Sequence, residues 1–151
     1  MSVLVVGSIA LDTVKTPVEE HADLLGGSAS YAAVSASFFS PVRLVGVVGN
    51  DFPDSEFDFW KSRKIDSEGV QRANGKTFRW SGEYSWDLNT RETRSVALNV
   101  FETFKPALPE SYRPPRNAAA SSGRARALAT KARCWRAKRN RFHDTTPATP
   151  V

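Results

Sequence analysis

The chain has 151 residues, of which 40% are hydrophobic and 25% charged, which is the composition of a globular protein of about one domain. Its single cysteine, Cys134, excludes an internal disulfide and makes a reducing, cytoplasmic setting the expectation. No apolar run approaches the roughly 18 residues of a membrane-spanning helix, and Asp12 closes the first run too early for a secretory signal.

The net charge of +5 is distributed unevenly. Residues 1–115 hold 12 basic and 15 acidic side chains, whereas residues 116–151 hold nine basic and one acidic. Such an asymmetry predicts a boundary, with a folded part over residues 1–115 and a disordered, basic, low-complexity tail over residues 116–151. Basic tails of this kind can bind nucleic acid without sequence preference, which leaves that function open as an alternative.

The first elements in chain order predict the start of a layered α/β fold. Val3–Val6 is a continuous apolar run with β-branched residues, typical of a strand buried in a covered sheet. Residues 13–25 are mixed in character and contain Pro17, which favours a loop or a short extended segment. Small residues over 29–39 predict a helix, which Ser28 is placed to cap.

A second strand and helix follow. Residues 43–48 form another apolar run, and residues 55–64 place Phe57 and Trp60 at helical spacing. Strand and helix in alternation predict parallel pairing, with the loops after the strands at one edge of the sheet, where ligands of such folds bind. Asp51 precedes Pro53, and we expect it to cap the second helix.

Residues 77–101 alternate bulky and polar side chains on either side of a turn at residues 87–91, which predicts a β-hairpin. The alternation places Trp80, Tyr84 and Trp86 on one face and Arg79 on the other. An aromatic face of this size predicts that the hairpin covers a ligand, the α/β layer or a second subunit. Base stacking by these rings is a less favoured reading.

Polar candidates for a site are few. Asp12 follows the first strand, where a carboxylate can accept hydrogen bonds from vicinal hydroxyls, although a solvated aspartate is the plainer reading. Gly26 and Gly27 precede the first helix and would let a ligand approach the backbone closely, although an ordinary tight turn explains them as well. His21 and His143 are isolated, so we expect no metal site.

Three segments stand in register along the chain: GSIALD after the first strand, GGSASYAA opening a helix and VGVVGNDFP after the second strand, with a hairpin next. Together they resemble the PfkB, or ribokinase-like, family of carbohydrate and nucleoside kinases. The resemblance covers about residues 3–112 and implies a partial ribokinase-like, Rossmann-like sheet with helices and a β-hairpin lid. It implies that Asp12, Gly26 and Gly27 bind the sugar, and that the lid forms a homodimer contact in some members. Tyr31 stands where many members have a sugar-binding asparagine, which leaves the substrate open between sugars and nucleosides.

The same resemblance implies ATP and Mg²⁺ for an intact member, bound by a C-terminal half with a glycine-rich segment and a base aspartate. After Gly82 this chain has only Gly123, so we identify no catalytic residue and expect no retained cofactor site. The expectation is a truncated carbohydrate kinase that is inactive as written, with a frame shift near residues 112–116 as one origin of the tail. The alternative is a non-catalytic sugar-binding or dimerising module; nucleic-acid binding is less favoured. An incomplete sheet would also leave an apolar edge uncovered and favour aggregation.

Overall fold

A computed structural model describes residues 2–113. In chain order the strands are β1 (Val3–Val6), β2 (Ala10–Lys15), β3 (Glu20–Gly26), β4 (Val42–Val48), β5 (Ile65–Arg72), β6 (Phe78–Tyr84) and β7 (Arg91–Ala97). The helices are α1 (Ser28–Ser37) and α2 (Asp54–Ser62). The predicted tail, and its boundary at residue 115, lie outside the described residues. Within residues 2–113, neither helix is long and apolar enough to cross a membrane.

A three-stranded parallel sheet, in the order β1-β4-β5, carries the hydrophobic core. Its middle strand β4 is buried from Leu44 to Val48, as an apolar strand covered by helices should be. Helix α1 packs closely through Ala29 and Ala33, whose small side chains are buried. Helix α2 contributes Trp60, which is fully buried and stacks on Phe52 with 5.6 Å between ring centroids. The predicted parallel α/β order is confirmed.

The expectation that β1 is buried was wrong. Val3, Leu4 and Val6 are 41%, 44% and 45% exposed. The reason is topological, because β1 lies at the edge of its sheet and pairs only with β4 among the described strands. An apolar edge strand of this kind is a known site of aggregation, as the sequence led us to expect.

The second sheet has four strands in the order β3-β2-β6-β7. Its β2–β3 hairpin spans residues 10–26 and includes residues 13–25, where the sequence predicted a loop or a short extended segment. The two strands pair antiparallel from Ala10 opposite Gly26 to Lys15 opposite Glu20, and Thr16 closes the turn. Residues 20–24 are exposed, so β3 lacks the buried alternation by which strands are recognised in a sequence.

The predicted hairpin over residues 77–101 is confirmed as β6 and β7, which pair antiparallel. Asp87 organises its turn by accepting hydrogen bonds from the backbone N–H groups of Asn89 and Thr90, both at 3.1 Å. The expected face was partly wrong. Trp80 and Tyr84 lie on the same face of β6, but Trp86 lies beyond the strand in the turn and is 79% exposed.

The last described segment folds back on β5 through Tyr112. Its hydroxyl donates to the Asp66 carbonyl at 2.9 Å and accepts from the Gly69 N–H at 3.2 Å. Arg43 lies over the Tyr112 ring, 5.3 Å from its centroid, and donates to the Tyr112 carbonyl. Tyr112 is thereby buried to 6% exposure, and it satisfies two backbone groups where the register of β5 shifts.

Replacing Tyr112 by Phe should lower the free energy of unfolding by about 1–3 kcal/mol, because it leaves the Gly69 N–H and the Asp66 carbonyl without their partner. Urea denaturation followed by tryptophan fluorescence measures this. Tyr31→Phe is the matched control and should change stability by less than about 0.5 kcal/mol, since Tyr31 is 64% exposed. Equal stability of the two variants would show that the Tyr112 hydroxyl does not hold the segment.

Candidate functional site

A cleft of about 370 Å³ lies between α1 and one face of the four-stranded sheet. Strand β2 contributes Asp12, helix α1 contributes Tyr31, and the β6–β7 hairpin contributes Trp80, Tyr84 and Arg91. These side chains share one face because β2 and β6 run parallel with Asp12 opposite Trp80, while Tyr84 and Arg91 are paired across the hairpin. The hairpin therefore forms a wall of the cleft.

Asp12 lies within β2. The sequence had placed it after the first strand and had not predicted a separate strand there. The Asp12 carboxylate packs against Gly26 of the neighbouring strand β3 and occupies the space that a Cβ on residue 26 would need. Burial raises the pKa of Asp12 above its ordinary value of 3.8. Its side chain makes no hydrogen bond or ion pair with the described residues. A half-buried carboxylate without protein donors is free to accept hydrogen bonds from a ligand.

Gly27 marks the point where β3 turns into α1. Its φ of 89° lies in the left-handed region that favours glycine, and a Cβ there would collide with the Ser8 carbonyl. The helix is capped from across the chain, because the Ser8 hydroxyl accepts from the Ser28 N–H at 3.1 Å and the Ser8 carbonyl accepts from the Ala29 N–H at 2.9 Å. The expectation that Ser28 itself caps α1 was wrong, since Ser28 is the first helical residue.

The structure thus brings Asp12, Gly27 and Tyr31 to one cleft and places Gly26 directly beneath Asp12. Arg91 was missed in the sequence. Its guanidinium lies over the Trp80 ring, 5.1 Å from the centroid. Arg91 pairs with Tyr84 across the turn, and this pairing places it at the cleft. The pairing depends on the hairpin register, which cannot be predicted from the sequence unless the length of the turn is known.

A larger cleft of about 460 Å³ lies between α1 and α2, where Leu25, Val34 and Phe59 provide an apolar lining. Ser30 also lines it, and the buried Ser30 hydroxyl has no hydrogen-bond partner among the described residues. Among the described residues that line it, Glu56 alone is charged. We place the candidate site in the smaller cleft, because it combines a carboxylate, a guanidinium and several aromatic rings, whereas the larger cleft has no guanidinium among its described lining residues.

Asp51 does not cap α2, contrary to the sequence-based expectation; the cap position is Pro53, and no side chain caps the helix. Asp51 Oδ1 instead accepts from both the N–H and the hydroxyl of Thr77 at 2.7 Å, and Oδ2 accepts from Arg79 at 3.0 Å. Arg79 also pairs with Asp23 on β3. Partial burial raises the pKa of Asp51, but the hydrogen bonds from Thr77 and Arg79 outweigh it and lower that pKa below 3.8.

The fold is similar to solved kinase structures. A putative ribokinase from Agrobacterium tumefaciens matches 72% of this chain with a TM-score of 0.58 and 21% identity. A nucleoside kinase from Methanocaldococcus jannaschii, described as an archaeal member of the ribokinase family, matches 67% with a TM-score of 0.55 and 19% identity. Over about two thirds of its length, the chain has the fold of part of a ribokinase-like structure. The predicted fold class is therefore confirmed.

A fructokinase from Halothermothrix orenii matches in the same way, over 64% of this chain with a TM-score of 0.53 and 23% identity. The chain spans only 38–40% of the length of these three structures. No family model and no curated protein matches the sequence. The likeness therefore lies in the fold, and the residue roles must be argued from the cleft itself.

Asp51→Asn should lower the free energy of unfolding near neutral pH by about 1.5–3 kcal/mol, because the charge-assisted bonds to Thr77 and Arg79 are weakened. The pKa of Asp51 is lowered in the folded state, so its contribution is present above about pH 3.8 and is lost as the pH falls through the folded-state value. Urea denaturation at several pH values measures both effects.

The matched control is Asp54→Asn, because Asp54 is 87% exposed and pairs only with Arg72 among the described residues. We expect it to change stability by less than about 1 kcal/mol. A stability gap between Asp51→Asn and the unmodified chain that does not narrow toward pH 3 would contradict the assigned charge.

Proposed function

We propose that residues 3–112 are the substrate-binding part of a carbohydrate kinase of the ribokinase-like type, with a sugar or a nucleoside as its ligand. The observation that carries the proposal is the half-buried Asp12 carboxylate, which faces the aromatic hairpin and has no partner among the described residues. The fold similarity to a nucleoside kinase and a fructokinase supports the same class of ligand.

In this proposal Asp12 accepts hydrogen bonds from two neighbouring hydroxyls of the ligand, while Trp80 and Tyr84 shield the ligand from water. Charge-assisted hydrogen bonds are about twice as strong as neutral ones, and the partly desolvated position of Asp12 strengthens them further. Gly26 and Gly27 let the carboxylate and the ligand approach the backbone. Tyr31 lies at the rim of the cleft, where its ring can contact the ligand.

We further propose that this polypeptide by itself does not transfer phosphate. Phosphoryl transfer needs a base, an anion-binding backbone and a metal to stabilise charge. The sequence after Gly82 contains no glycine-rich segment, and within residues 2–113 no three His, Cys, Asp or Glu side chains cluster to hold a metal ion. In this proposal the described residues do not supply the base and the anion-binding backbone that an intact fold of this type would use with Mg²⁺–ATP.

The second candidate is a non-catalytic module that binds a sugar and dimerises. It is favoured by the exposure of β7, in which all seven residues are exposed on the edge of the four-stranded sheet. An edge strand can pair with the same strand of a second copy. We keep the cytoplasm as the proposed compartment, and RNA binding through residues 116–151 as the less favoured alternative.

Asp12→Asn should weaken ligand binding about tenfold or more, because the ligand hydroxyls lose a charged acceptor. The apo protein should be equally stable or slightly more stable, since the substitution removes a carboxylate that is costly to bury. Isothermal titration calorimetry against ribose, fructose and adenosine, with thermal unfolding, measures the two effects. Asp54→Asn is the control and should leave affinity unchanged.

Binding should also fall at acid pH, because protonation of Asp12 removes its charge, and the pKa of Asp12 is raised above 3.8. A variant Asp12→Asn that is unstable yet binds as well as the unmodified chain would assign Asp12 a structural role and overturn the proposal.

The purified chain should release no ADP from Mg²⁺–ATP in response to any sugar or nucleoside that calorimetry shows to bind. The assay couples ADP formation to NADH oxidation, and the bound ligand proves that the sample is folded. Ligand-dependent ADP release above the buffer rate would refute the proposed lack of transfer.

A further inference from the structure

Arg91 is the only basic side chain that lines the cleft in the described part of the chain. It begins β7 and lies opposite Tyr84 of β6, so its side chain shares the face that carries Trp80. The Trp80 indole rests against Gly82, where a Cβ would collide with its six-membered ring, and the Arg91 guanidinium lies 5.1 Å from the indole centroid. Arg91 is therefore held at the cleft by a cation–π contact with a ring that is itself packed.

The bonding state of Arg91 differs from that of most arginines of the fold. Among the described residues, its guanidinium has neither a carboxylate nor a carbonyl partner. The arginines that do have one are Arg43, Arg72, Arg79, Arg94 and Arg113. Arg63 resembles Arg91, since it lies over the Phe38 and Phe59 rings without an ion pair, but it does not line the cleft. The planar donors of Arg91 are thus left for a ligand.

The cleft consequently carries one group of each charge. Asp12 and Arg91 both line it, yet they form no ion pair with each other. Asp12 can only accept hydrogen bonds when ionised, whereas a guanidinium can only donate them. A neutral sugar would satisfy Asp12 and leave the five donors of Arg91 to water. A carboxylate or phosphate matches the guanidinium fork with two parallel hydrogen bonds.

We propose that Arg91 selects an anionic substrate, namely a polyol that carries a carboxylate or a phosphate, with its hydroxyls on Asp12 and its anionic group on Arg91. A nucleobase is the weaker fit, because stacking on Trp80 would have to displace the guanidinium that already covers this ring. The inference rests on the proposed function, which supplies the polyol part of the ligand.

The test is calorimetry with the full chain and two matched pairs of ligands. Ribose is compared with ribose 5-phosphate, and glucose with glucuronate, so that the phosphate and carboxylate sources are separated. At least one anionic ligand should bind about tenfold or more tightly than its neutral partner. Arg91→Gln should remove that advantage, a loss of about 10- to 100-fold for a charge-assisted bidentate pair, and leave neutral ligands within about twofold. Arg63→Gln is the matched control and should change neither.

The outcomes distinguish the proposed role of Arg91 from the proposed function. Neutral ligands that bind through Asp12, with anionic ligands no tighter, would overturn the role of Arg91 and leave the proposed function standing. Equal losses in Arg91→Gln and Arg63→Gln would reduce the effect to general charge and would also overturn it. Tight adenosine binding that Arg91→Gln leaves intact would favour base stacking instead. If none of the compounds binds, both proposals fail. Anionic ligands that bind the unmodified chain no more tightly than their neutral partners overturn the claim even if Arg91→Gln does not fold.

Discussion

The cleft depends on the hydrogen bonds by which Asp51 joins the two sheets. Asp51 follows β4 of the parallel sheet, and Thr77 and Arg79 stand at the start of β6 in the four-stranded sheet. Thr77 is fully buried, and its hydroxyl donates to Asp51 and accepts from the Gly49 N–H at 2.9 Å. Arg79 extends the link to Asp23 on β3. Because buried polar groups are costly when unpaired, this set of contacts allows few alternative arrangements of the hairpin.

The two aspartates that matter most differ in what surrounds them. Asp51 is provided with donors by the protein, which lower its pKa and make it part of the framework. Asp12 has no donor among the described residues, and burial raises its pKa. The first arrangement stabilises the fold, whereas the second costs stability until a ligand supplies the missing hydrogen bonds. In the proposed function, this contrast marks Asp12 as the ligand-binding carboxylate, since burying a carboxylate without hydrogen bonds is costly.

The sequence predicted those elements whose apolar pattern is strong and local. The parallel pairing of β1 with β4, the two helices and the β6–β7 hairpin follow from continuous runs, small-residue stretches and alternation. It did not predict β3, because an exposed edge strand has no buried face to produce a pattern. It assigned Asp51 the wrong role, because an aspartate just before a helix is usually a cap, whereas this one accepts hydrogen bonds from Thr77, 26 residues further along the chain. The exposure of β1 likewise depends on the order of strands, which hydrophobicity does not encode.

The candidate site could be predicted from the sequence only in part. Asp12, Gly26 and Gly27 were candidates from the residues themselves as well as from the resemblance, whereas Tyr31 came from the resemblance alone. The first three are close in space because β2 and β3 form one hairpin. Arg91 was overlooked because its position follows from the hairpin register, which shifts between Ser81 and Gly82. A single extra residue in one strand moves every later side chain to the other face, so alternation alone cannot assign the residues beyond it.

The described residues that line the cleft all lie between Ser8 and Arg91. None of them comes from β1, whose outer edge is exposed, and none depends on a partner across that edge. Ligand binding and the covering of β1 are therefore separate physical requirements. In the proposed function, binding depends on the Asp51 network and on the turn from β3 into α1 at Gly27. Phosphoryl transfer adds a base and an anion-binding backbone, which must be positioned against the same ligand. The proposal therefore treats recognition of a substrate and reaction with it as separate physical requirements.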